Sequence, residues 1–409
     1  MENPKIRFKG FTKDWEQRKL GDLVNRITRK NQDLVSELPL TISAQYGLID
    51  QNEFFDKRVA SKDVSGYYLI ENGEFAYNKS TSTDAPWGAI KRLDRYENGV
   101  LSTLYIVFGI KENNLVDSDF LVSYYSTNLW HKGIHEIAAE GARNHGLLNI
   151  APADFFETKL MIPQDIEEQK KIGKYFEELD HLITLHQRKC DQTKNLKKYM
   201  LQKMFPQNGA KVPEIRFDGY TYDWEQRKLG DYLEVSKEKN RDEGFGKEDV
   251  LSVSGEFGIV NQIEFQGRSF AGASVKNYGV VEVFDIVYTK SPLKSNPYGI
   301  IKTNKGKAGI VSTLYAVYKP KNNVDSEFIQ IYFELDSRMN SYMHPLVNKG
   351  AKNDMKVSDE NALKGPVIFP RIEEQKMISQ YFSNLDHLIT LHQRQTDFYK
   401  KTSFYFISS

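Results

Sequence analysis

The nine residues DWEQRKLGD occupy Asp14–Asp22 and recur, letter for letter, at Asp223–Asp231. The second copy begins 209 positions after the first in a chain of 409 residues. A match of this length does not arise by chance, so the chain contains an internal duplication, and such self-similarity determines the architecture before any single motif does. The fold therefore consists of two related halves.

Four further matches define the repeated unit and its order. They are LSTLY at Leu101–Tyr105 with VSTLY at Val311–Tyr315, GARN at Gly141–Asn144 with GAKN at Gly350–Asn353, IEEQK at Ile166–Lys170 and Ile372–Lys376, and LDHLITLHQR at Leu179–Arg188 and Leu385–Arg394. Each half is thus a variable block followed by a nearly identical tail. We expect variable domains at 1–160 and 209–370 and helical spacers at 161–208 and 371–409.

The variable blocks are predicted to be compact α/β or α+β domains. Both contain short β-rich runs bounded by Gly, Asn and Asp, such as EFAYNK at Glu74–Lys79 and FDIVYTK at Phe284–Lys290. Both end in a more helical stretch, around Phe120–Ile137 and Phe328–Met343. Strands followed by helices in one segment are typical of a layered mixed domain.

The tails are predicted to be long helices that pack together. Apolar side chains recur at helical spacing from about Ile166 to Lys203, at Ile172, Tyr175, Phe176, Leu179, Leu182, Ile183, Leu196 and Met200. Asp165 and Glu168 have the spacing of a capping box. At ~1.5 Å per residue this helix would be roughly 57 Å long, and its apolar stripe needs a partner. The best candidate is its own duplicate, with Leu385, Leu388 and Ile389 in the stripe, as an antiparallel coiled coil that sets the variable domains at opposite ends.

The second tail diverges after Arg394, where it continues QTDFYKKTSFYFISS. The β-branched and aromatic residues there are weak helix formers. We therefore expect the second helix to be shorter than the first.

The bulk composition is that of a globular protein, with 40% hydrophobic and 27% charged residues. A single cysteine, Cys190, excludes an intramolecular disulfide and cysteine-rich zinc modules. The N-terminus lacks the apolar core of a signal peptide, and VLSTLYIVFGI is too short to span a bilayer and is expected to be a buried strand. These features predict a cytoplasmic protein without a membrane segment. The net charge is +1, and basic and acidic residues are nearly balanced in each block of the chain, which excludes nucleic-acid binding by a polycationic arm alone.

Enzyme signatures are missing from the sequence. Neither a phosphate-binding G-x-x-x-x-G-K-[ST] loop nor a dinucleotide-binding G-x-G-x-x-G is present. NPYG at Asn296–Gly299 is interpreted as a turn followed by a packed aromatic ring. His131 and His135 have the i, i+4 spacing of a metal pair, but the duplicate keeps one histidine, and a surface role is favoured. His181, His186, His387 and His392 are interpreted as a polar layer that sets the register of the two helices, and the carboxylates of EEQK as solvent-facing. These residues therefore indicate neither a catalytic arrangement nor a metal site.

A basic, loop-rich segment stands out in both variable blocks. Ile286–Asn323 contains seven lysines and no acidic residue, and the corresponding Tyr77–Lys111 contains five basic and three acidic residues. Lysine, Ser, Asn and aromatic side chains on loops suit phosphate and base-edge contacts. A solvated charged loop is the alternative. A basic segment occurs at the same place in both halves, with different residues, and this recurrence favours nucleic-acid binding.

The whole layout resembles the specificity (S) subunit of type I restriction-modification enzymes. The resemblance is carried by IRFKGFTKDWEQRKLGDL, by IPQDIEEQKKIGKYFEELDHLITLHQR, and by the return of the same order from IRFDGYTYDWEQRKLGDYL. It implies that the variable blocks are target-recognition domains, each recognising one half of an asymmetric bipartite site in double-stranded DNA. It also implies that the chain itself is non-catalytic and that the paired helices dock two modification subunits, which methylate adenine with S-adenosylmethionine. Restriction subunits that use ATP and Mg would join the complex.

The residues expected to contact DNA combine basic, polar and aromatic side chains in the basic segments and in the GARN and GAKN repeats. They are Lys79, Ser80, Trp87, Arg92, Arg143 and Asn144 in the first half, and Lys290, Ser291, Lys294, Tyr298, Lys302, Lys305, Lys352 and Asn353 in the second. The residues expected to form the coiled coil and dock partner subunits are Ile172, Phe176, Leu179, Leu182, Ile183, Leu385, Leu388 and Ile389.

Two other hypotheses compete with DNA recognition. One is a duplicated coiled-coil scaffold that links two protein- or ligand-binding domains, and salt-dependent affinity for duplex DNA would distinguish it. The other is a self-contained DNA methyltransferase, which the lack of a cofactor-binding loop disfavours.

Overall fold

The chain forms two compact units in a computed structural model, and each unit takes part of both long helices. The first unit comprises Met1–His186 with Gln395–Ser409, and the second comprises Gln187–Arg394. The structure describes residues 4–43, 46–57, 59–83, 85–112, 115–138, 146–207, 209–290, 296–349 and 355–408, without the side chains of 348, 349, 355, 356 and 404–408.

The elements of the first half alternate short strands with short helices before the first long helix. In chain order they are β1 Trp15–Lys19, α1 Leu20–Leu23, β2 Val24–Ile27, β3 Leu40–Ser43, β4 Gly47–Asp50, α2 Gln51–Phe55, β5 Tyr68–Glu71, β6 Phe75–Asn78, β7 Ala89–Arg92, β8 Asn98–Leu101, β9 Ile106–Ile110, α3 Ser118–Tyr125, α4 His131–Ile137, α5 Pro152–Phe156, β10 Lys159–Pro163 and α6 Ile166–Lys203.

The second half repeats this order, with short 3₁₀ turns at Leu229–Asp231, Lys247–Asp249 and Asn361–Leu363. Its elements are β11 Glu225–Lys228, β12 Leu233–Val235, β13 Leu251–Ser254, β14 Gly258–Asn261, α7 Gln262–Gln266, β15 Gly279–Val281, β16 Ile286–Thr289, β17 Ile301–Thr303, β18 Gly309–Val311, β19 Tyr315–Pro320, α8 Ser326–Glu334, α9 Asp336–Met343, β20 Asn348–Lys349, β21 Met355–Lys356, β22 Pro366–Phe369 and α10 Ile372–Ser408.

Each unit is built on a four-stranded antiparallel sheet with the same topology. The strand order is β2-β9-β6-β7 in the first unit and β12-β19-β16-β17 in the second. One face of each sheet packs on the short helices, through Phe75 and Phe108 in the first unit, whose rings stack at 5.4 Å. The prediction of two related α+β domains is confirmed. The expected single strand in VLSTLYIVFGI is wrong, because a turn after Leu101 divides it into β8 and β9.

The long helices pack against each other as predicted. The first spans Ile166–Lys203, as the periodicity indicates. In the second unit the Cys190 Sγ lies 4.0 Å from the Ile389 carbonyl, and the Lys197 Nζ contacts Asp386 at 2.6 Å. Lys197 lies further along the first helix than Cys190, but its partner Asp386 lies earlier in the second helix than Ile389. The two helices are therefore antiparallel.

The predicted stripe residues differ in how deeply they pack. Leu179 and Leu385 are each 6% exposed. The side chains of Ile172, Phe176, Leu182, Ile183 and Ile389 are half-buried. Leu388 is 42% exposed, which leaves it accessible outside the helix pair.

The second helix does not end at the divergent sequence after Arg394. It continues to Ser408 and has 37 residues, against 38 in the first helix. In the first unit its last part packs on the first helix, where the rings of Tyr399 and His186 stack at 5.8 Å. Packing of this kind supplies most helix stability in proteins and outweighs the weak propensity of the aromatic and β-branched residues.

Two of the repeated motifs bind each other in both units. Arg7 of the first IRF donates from Nε and Nη2 to Glu168 at 2.5 and 2.7 Å, and Arg216 of the second donates to Glu374 at 2.7 and 2.8 Å. Both carboxylates are at most 1% exposed. The expectation that these glutamates face solvent is therefore wrong, since each is enclosed in a two-pronged ion pair with arginine.

The predicted capping box forms in part. The Asp165 side chain accepts from the Glu167 N–H at 3.0 Å and so caps the helix. Its expected partner Glu168 is instead bound by Arg7.

The glutamine of each IEEQK motif attaches the start of the long helix to the variable block. Gln169 accepts from the Asp117 N–H at 2.8 Å and donates to the Pro163 carbonyl at 2.8 Å. Gln375 makes the equivalent bonds to Asp325 and Pro370, both at 2.9 Å. Because Asp117 and Asp325 in turn cap α3 and α8, the motif fixes the position of those helices.

We expect Arg216→Ala to destabilise the second unit by about 3 kcal/mol, because it leaves the buried Glu374 carboxylate without its partner. Urea unfolding followed by circular dichroism measures the change. Glu373→Gln is the matched control, since the exposed neighbour on the same helix should change stability by less than ~0.5 kcal/mol. Equal stabilities of the two variants would contradict the role given to the ion pair.

Candidate functional site

Two of the predicted DNA-contacting residues, Lys79 and Ser80, directly follow β6 of the first central sheet. In the first unit the segment after β6 runs beside residues 146–148. The Leu148 N–H donates to the Lys79 carbonyl at 3.0 Å, and the Thr81 N–H donates to the Gly146 carbonyl at 2.6 Å. Between them, Ser80 and Leu147 pair as in an antiparallel sheet. The structure therefore brings the loop of Lys79 and Ser80 to the segment that directly follows the GARN repeat.

Lys79 and Ser80 differ in accessibility. The Lys79 Nζ lies 3.4 Å from the Ile150 carbonyl, and burial lowers its pKa. Ser80 is exposed, and its N–H donates to Asn78 Oδ1 at 3.0 Å. The serine hydroxyl is thus the more available group, while the lysine would have to extend from a half-buried position.

Trp87 and Tyr298 occupy equivalent places on equivalent loops. Their carbonyls accept hydrogen bonds from the buried hydroxyls of Tyr77 and Tyr288, each at 2.9 Å. Burial raises the pKa of both tyrosines, so their hydroxyls remain protonated donors. Tyr298 is 9% exposed, which agrees with a turn followed by a packed ring.

A histidine from the following helices supports each of these aromatic rings. His135 packs edge-on against Trp87 at 5.1 Å, and His344 packs edge-on against Tyr298 at 6.1 Å. His131 instead contacts Trp130 at 4.5 Å. Each of these histidines therefore contacts an aromatic ring.

A glycine returns each loop to its sheet. Gly88 has φ +80° and Gly299 has φ +76°. A Cβ on Gly88 would lie 2.2 Å from the Asn78 carbonyl oxygen, and one on Gly299 would lie 2.0 Å from the Thr289 carbonyl oxygen. The loop conformation therefore requires glycine at both positions.

Several of the predicted basic residues are buried or held in ion pairs. Lys302 lies in β17 and is 7% exposed, so its prediction as a loop residue is wrong, and burial lowers its pKa. Lys290 pairs with Asp359 at 2.9 Å and Lys305 with Glu327 at 2.7 Å. Arg92 is held by Asp94 at 2.5 Å and Asp119 at 2.7 Å and is 17% exposed.

Six of the predicted residues lie outside the described part of the chain and remain predictions. They are Arg143, Asn144, Ser291, Lys294, Lys352 and Asn353.

Each unit also presents an exposed aromatic cluster that the sequence analysis missed. Phe54 and Phe55 on α2 are 46% and 44% exposed, with ring centroids 4.9 Å apart. Phe257 and Phe265 are 59% and 45% exposed, with centroids 5.4 Å apart. The signal was a further internal match, LTISAQYGLIDQNEF against LSVSGEFGIVNQIEF, in which an aromatic residue recurs at fixed places on a hairpin and the helix after it.

The comparisons with known proteins agree on one family. Residues 12–195 match the family model described as the type I restriction modification DNA specificity domain. A protein of Methanocaldococcus jannaschii assigned as the type I restriction enzyme MjaX specificity subunit is 23% identical over 414 residues, which cover 94% of this chain and 89% of that protein. The first half of the chain is thus similar to the type I restriction modification DNA specificity domain, and the whole chain to a specificity subunit.

Two solved specificity subunits resemble the chain in structure. The type I restriction-modification S subunit from M. genitalium shares its fold at a TM-score of 0.57 and 13% identity, covering 99% of this chain and 98% of that one. The HsdS subunit from Thermoanaerobacter tengcongensis matches at a TM-score of 0.45 and 15% identity over 97% of this chain and 96% of that one. The specificity-subunit family is generally non-catalytic. Within the described residues, no helix is long and apolar enough to cross a membrane.

Gly299→Ala should destabilise the second unit by about 1–3 kcal/mol, because the new Cβ cannot coexist with the Thr289 carbonyl and the positive φ is strained. Thermal unfolding measures the loss. Gly244→Ala is the control in the same unit, since a Cβ at Gly244 meets no atom within 4 Å. Equal melting temperatures would show that the loop does not need its glycine.

Proposed function

We propose that the chain is a type I restriction-modification specificity subunit and binds double-stranded DNA through both units, each recognising one part of an asymmetric bipartite site. The observation that carries the proposal is the pair of equivalent loops, Lys79–Gly88 and Lys290–Gly299. Both follow the equivalent strand of the two four-stranded sheets, begin with Lys-Ser and end with Pro, an aromatic residue and Gly, but differ at the five positions between. Two equivalent sheets that carry different loops would recognise different DNA sequences.

Phosphate contacts would come from lysines that can leave their present partners. Lys290 is bound by Asp359 at 2.9 Å, with 24% of its side chain exposed, so a phosphate oxygen would replace a carboxylate. Such exchange makes binding weaker than for a free lysine but keeps the side chain in place. The near-zero net charge further implies that partner subunits contribute much of the phosphate affinity.

Base recognition would come from the polar loop residues and the exposed aromatic clusters. Ser80 and the residues of the GARN and GAKN segments offer hydrogen-bonding groups for base edges. Phe54 in the first unit and Phe265 in the second are exposed on short helices after a hairpin, and apolar rings in such positions can wedge between base steps. Trp87 and Tyr298 would position the loops rather than stack on bases, because histidine rings and the sheet already contact them.

The paired helices would dock two modification subunits. The identical decapeptide at Leu179–Arg188 and Leu385–Arg394 gives both copies of one partner a similar surface, and the exposed Leu388 side chain is accessible on it. In this proposal methyl transfer from S-adenosylmethionine takes place on the modification subunits, and ATP- and Mg-dependent cleavage on restriction subunits. The chain would select the DNA sequence and set the distance between the two parts of the site.

The binding test uses the complex of the chain with its modification subunits and a fluorescent random-sequence duplex, over a series of salt concentrations. If Lys290 contacts phosphate, Lys290→Ala should weaken binding to all sequences and lower the slope of log affinity against log salt by about one. Lys276→Ala is the control, because Lys276 is an exposed lysine of the same unit.

If Lys290 contacts a base edge, the same variant should change which sequences are selected from the random pool and leave the slope unchanged. A variant that matches the control in slope and in selected sequences would contradict DNA contact by this loop. A wild-type complex without salt-dependent duplex affinity would favour the scaffold hypothesis.

A further inference from the structure

A cleft of about 500 Å³ lies in the first unit, among β7, α3 and the parts of α6 and α10 that belong to this unit. Its walls include Arg92, Asp119, Ser126, Glu177, Asp180 and Ser403. Arg92 is already bound by Asp94 and Asp119. Within the described part of the chain, neither Asp180 nor Glu177 forms a salt bridge.

The internal duplication identifies the same place in the second unit. Lys91 pairs with Ala76 across β6 and β7 as Lys302 pairs with Val287 across β16 and β17, so the two lysines are equivalent.

The helices align in the same way. The matched decapeptides make Asp386 the equivalent of Asp180 and, by the same offset of 206, Lys197 the equivalent of Ser403. DSDF at 117–120 and DSEF at 325–328 make Glu334 the equivalent of Ser126.

An ammonium group fills this place in the second unit. The Lys197 Nζ donates to Glu334 Oε1 and to Asp386 Oδ1, both at 2.6 Å, and the side chain is 12% exposed. Burial alone would lower the pKa of Lys197, but Glu334 and Asp386 outweigh it and raise the pKa. The site therefore holds the charged form of a primary amine.

The first unit keeps half of this arrangement. Burial lowers the pKa of Lys91 while Asp180 opposes that effect, so these two groups interact as Lys302 and Asp386 do. The second lysine is replaced by Ser403, a much shorter side chain.

The cleft of the first unit also carries an excess of acidic groups. Asp94, Asp119, Glu177 and Asp180 stand against Arg92 and the neighbouring Lys91, a net charge of −2. This excess does not come from the exchange of Lys197 for Ser403, because Glu334 is exchanged for Ser126 at the same time and the two changes cancel in charge.

We propose that the cleft of the first unit binds a primary ammonium group on a flexible alkyl chain, in the place that Lys197 occupies in the second unit. The described residues contain no group of three or more ligating side chains suited to a metal ion, so an ammonium fits the carboxylates better. The same chemistry is offered by a free diamine or polyamine and by a lysine of a partner protein. The inference is independent of DNA binding.

Cadaverine, which carries the alkylammonium group of lysine, is the probe. Titration calorimetry of the full chain should give one site, with tetramethylammonium chloride at equal ionic strength as the control for screening. Ser403→Lys places a lysine where the second unit has Lys197, and should reduce cadaverine affinity at least about tenfold, the equivalent of one charge-assisted hydrogen bond. Circular dichroism verifies that the variant is folded.

The reciprocal variant tests the same equivalence from the other side. Lys197→Ser removes the ammonium group between Glu334 and Asp386 and should add a second cadaverine site. Asp180→Asn should remove the site in the first unit. Wild type and Ser403→Lys binding cadaverine equally, or cadaverine acting no differently from tetramethylammonium, would overturn the proposal.

The two sources of the ammonium group are then distinguished by adding purified modification subunit. If a lysine of that subunit fills the cleft, saturation with it should abolish cadaverine binding, and Ser403→Lys should weaken the complex. If a free amine is the ligand, cadaverine should bind the complex as it binds the chain.

Discussion

The ion pair between the arginine of IRF and the second glutamate of IEEQK is the constraint on which each unit depends. Glu168 and Glu374 are enclosed almost completely, so each carboxylate needs the two-pronged contact from Arg7 or Arg216. Glutamines one position later fix α3 and α8 to the same helix start. The segment before the variable block and the long helix after it are thereby joined at one point, whatever the block between them contains.

This arrangement separates parts of the sequence that must stay the same from parts that can differ. The motifs at the junctions and the helix decapeptide are identical or nearly so in the two halves, while the loops after β6 and β16 keep their first two and last three residue types and differ at the five positions between. Under the proposed function this separation is useful, because the loops that recognise DNA could change without disturbing the ion pair or the helices. The differing Ser403 and Lys197 show that the duplicated scaffold has also diverged in places where charge is buried.

Periodicity and repetition predicted the architecture well. The bounds of the first long helix followed from apolar spacing, and the two α+β domains followed from matching strand and helix patterns. The environment of individual charges could not be predicted in this way. Glu168 was expected in solvent and Lys302 on a loop, but a partner 161 residues away and a sheet register decide their burial. The exposed aromatic clusters were predictable in principle, since their internal match is visible in the sequence, but exposure is a property of the folded surface.

The most direct test of the account is the methylated adenine motif in cells that express the cognate modification subunit with a duplicated-block chain. In that chain residues 23–165 are replaced by residues 232–371, and the identical flanking sequences DWEQRKLGD and IEEQK make both junctions seamless. Wild type should give two different short blocks around an undefined spacer, and the duplicated chain should give two copies of the block that the second unit recognises. A motif that retains both wild-type blocks, or wild-type methylation without a bipartite motif, would contradict recognition of one block by each unit.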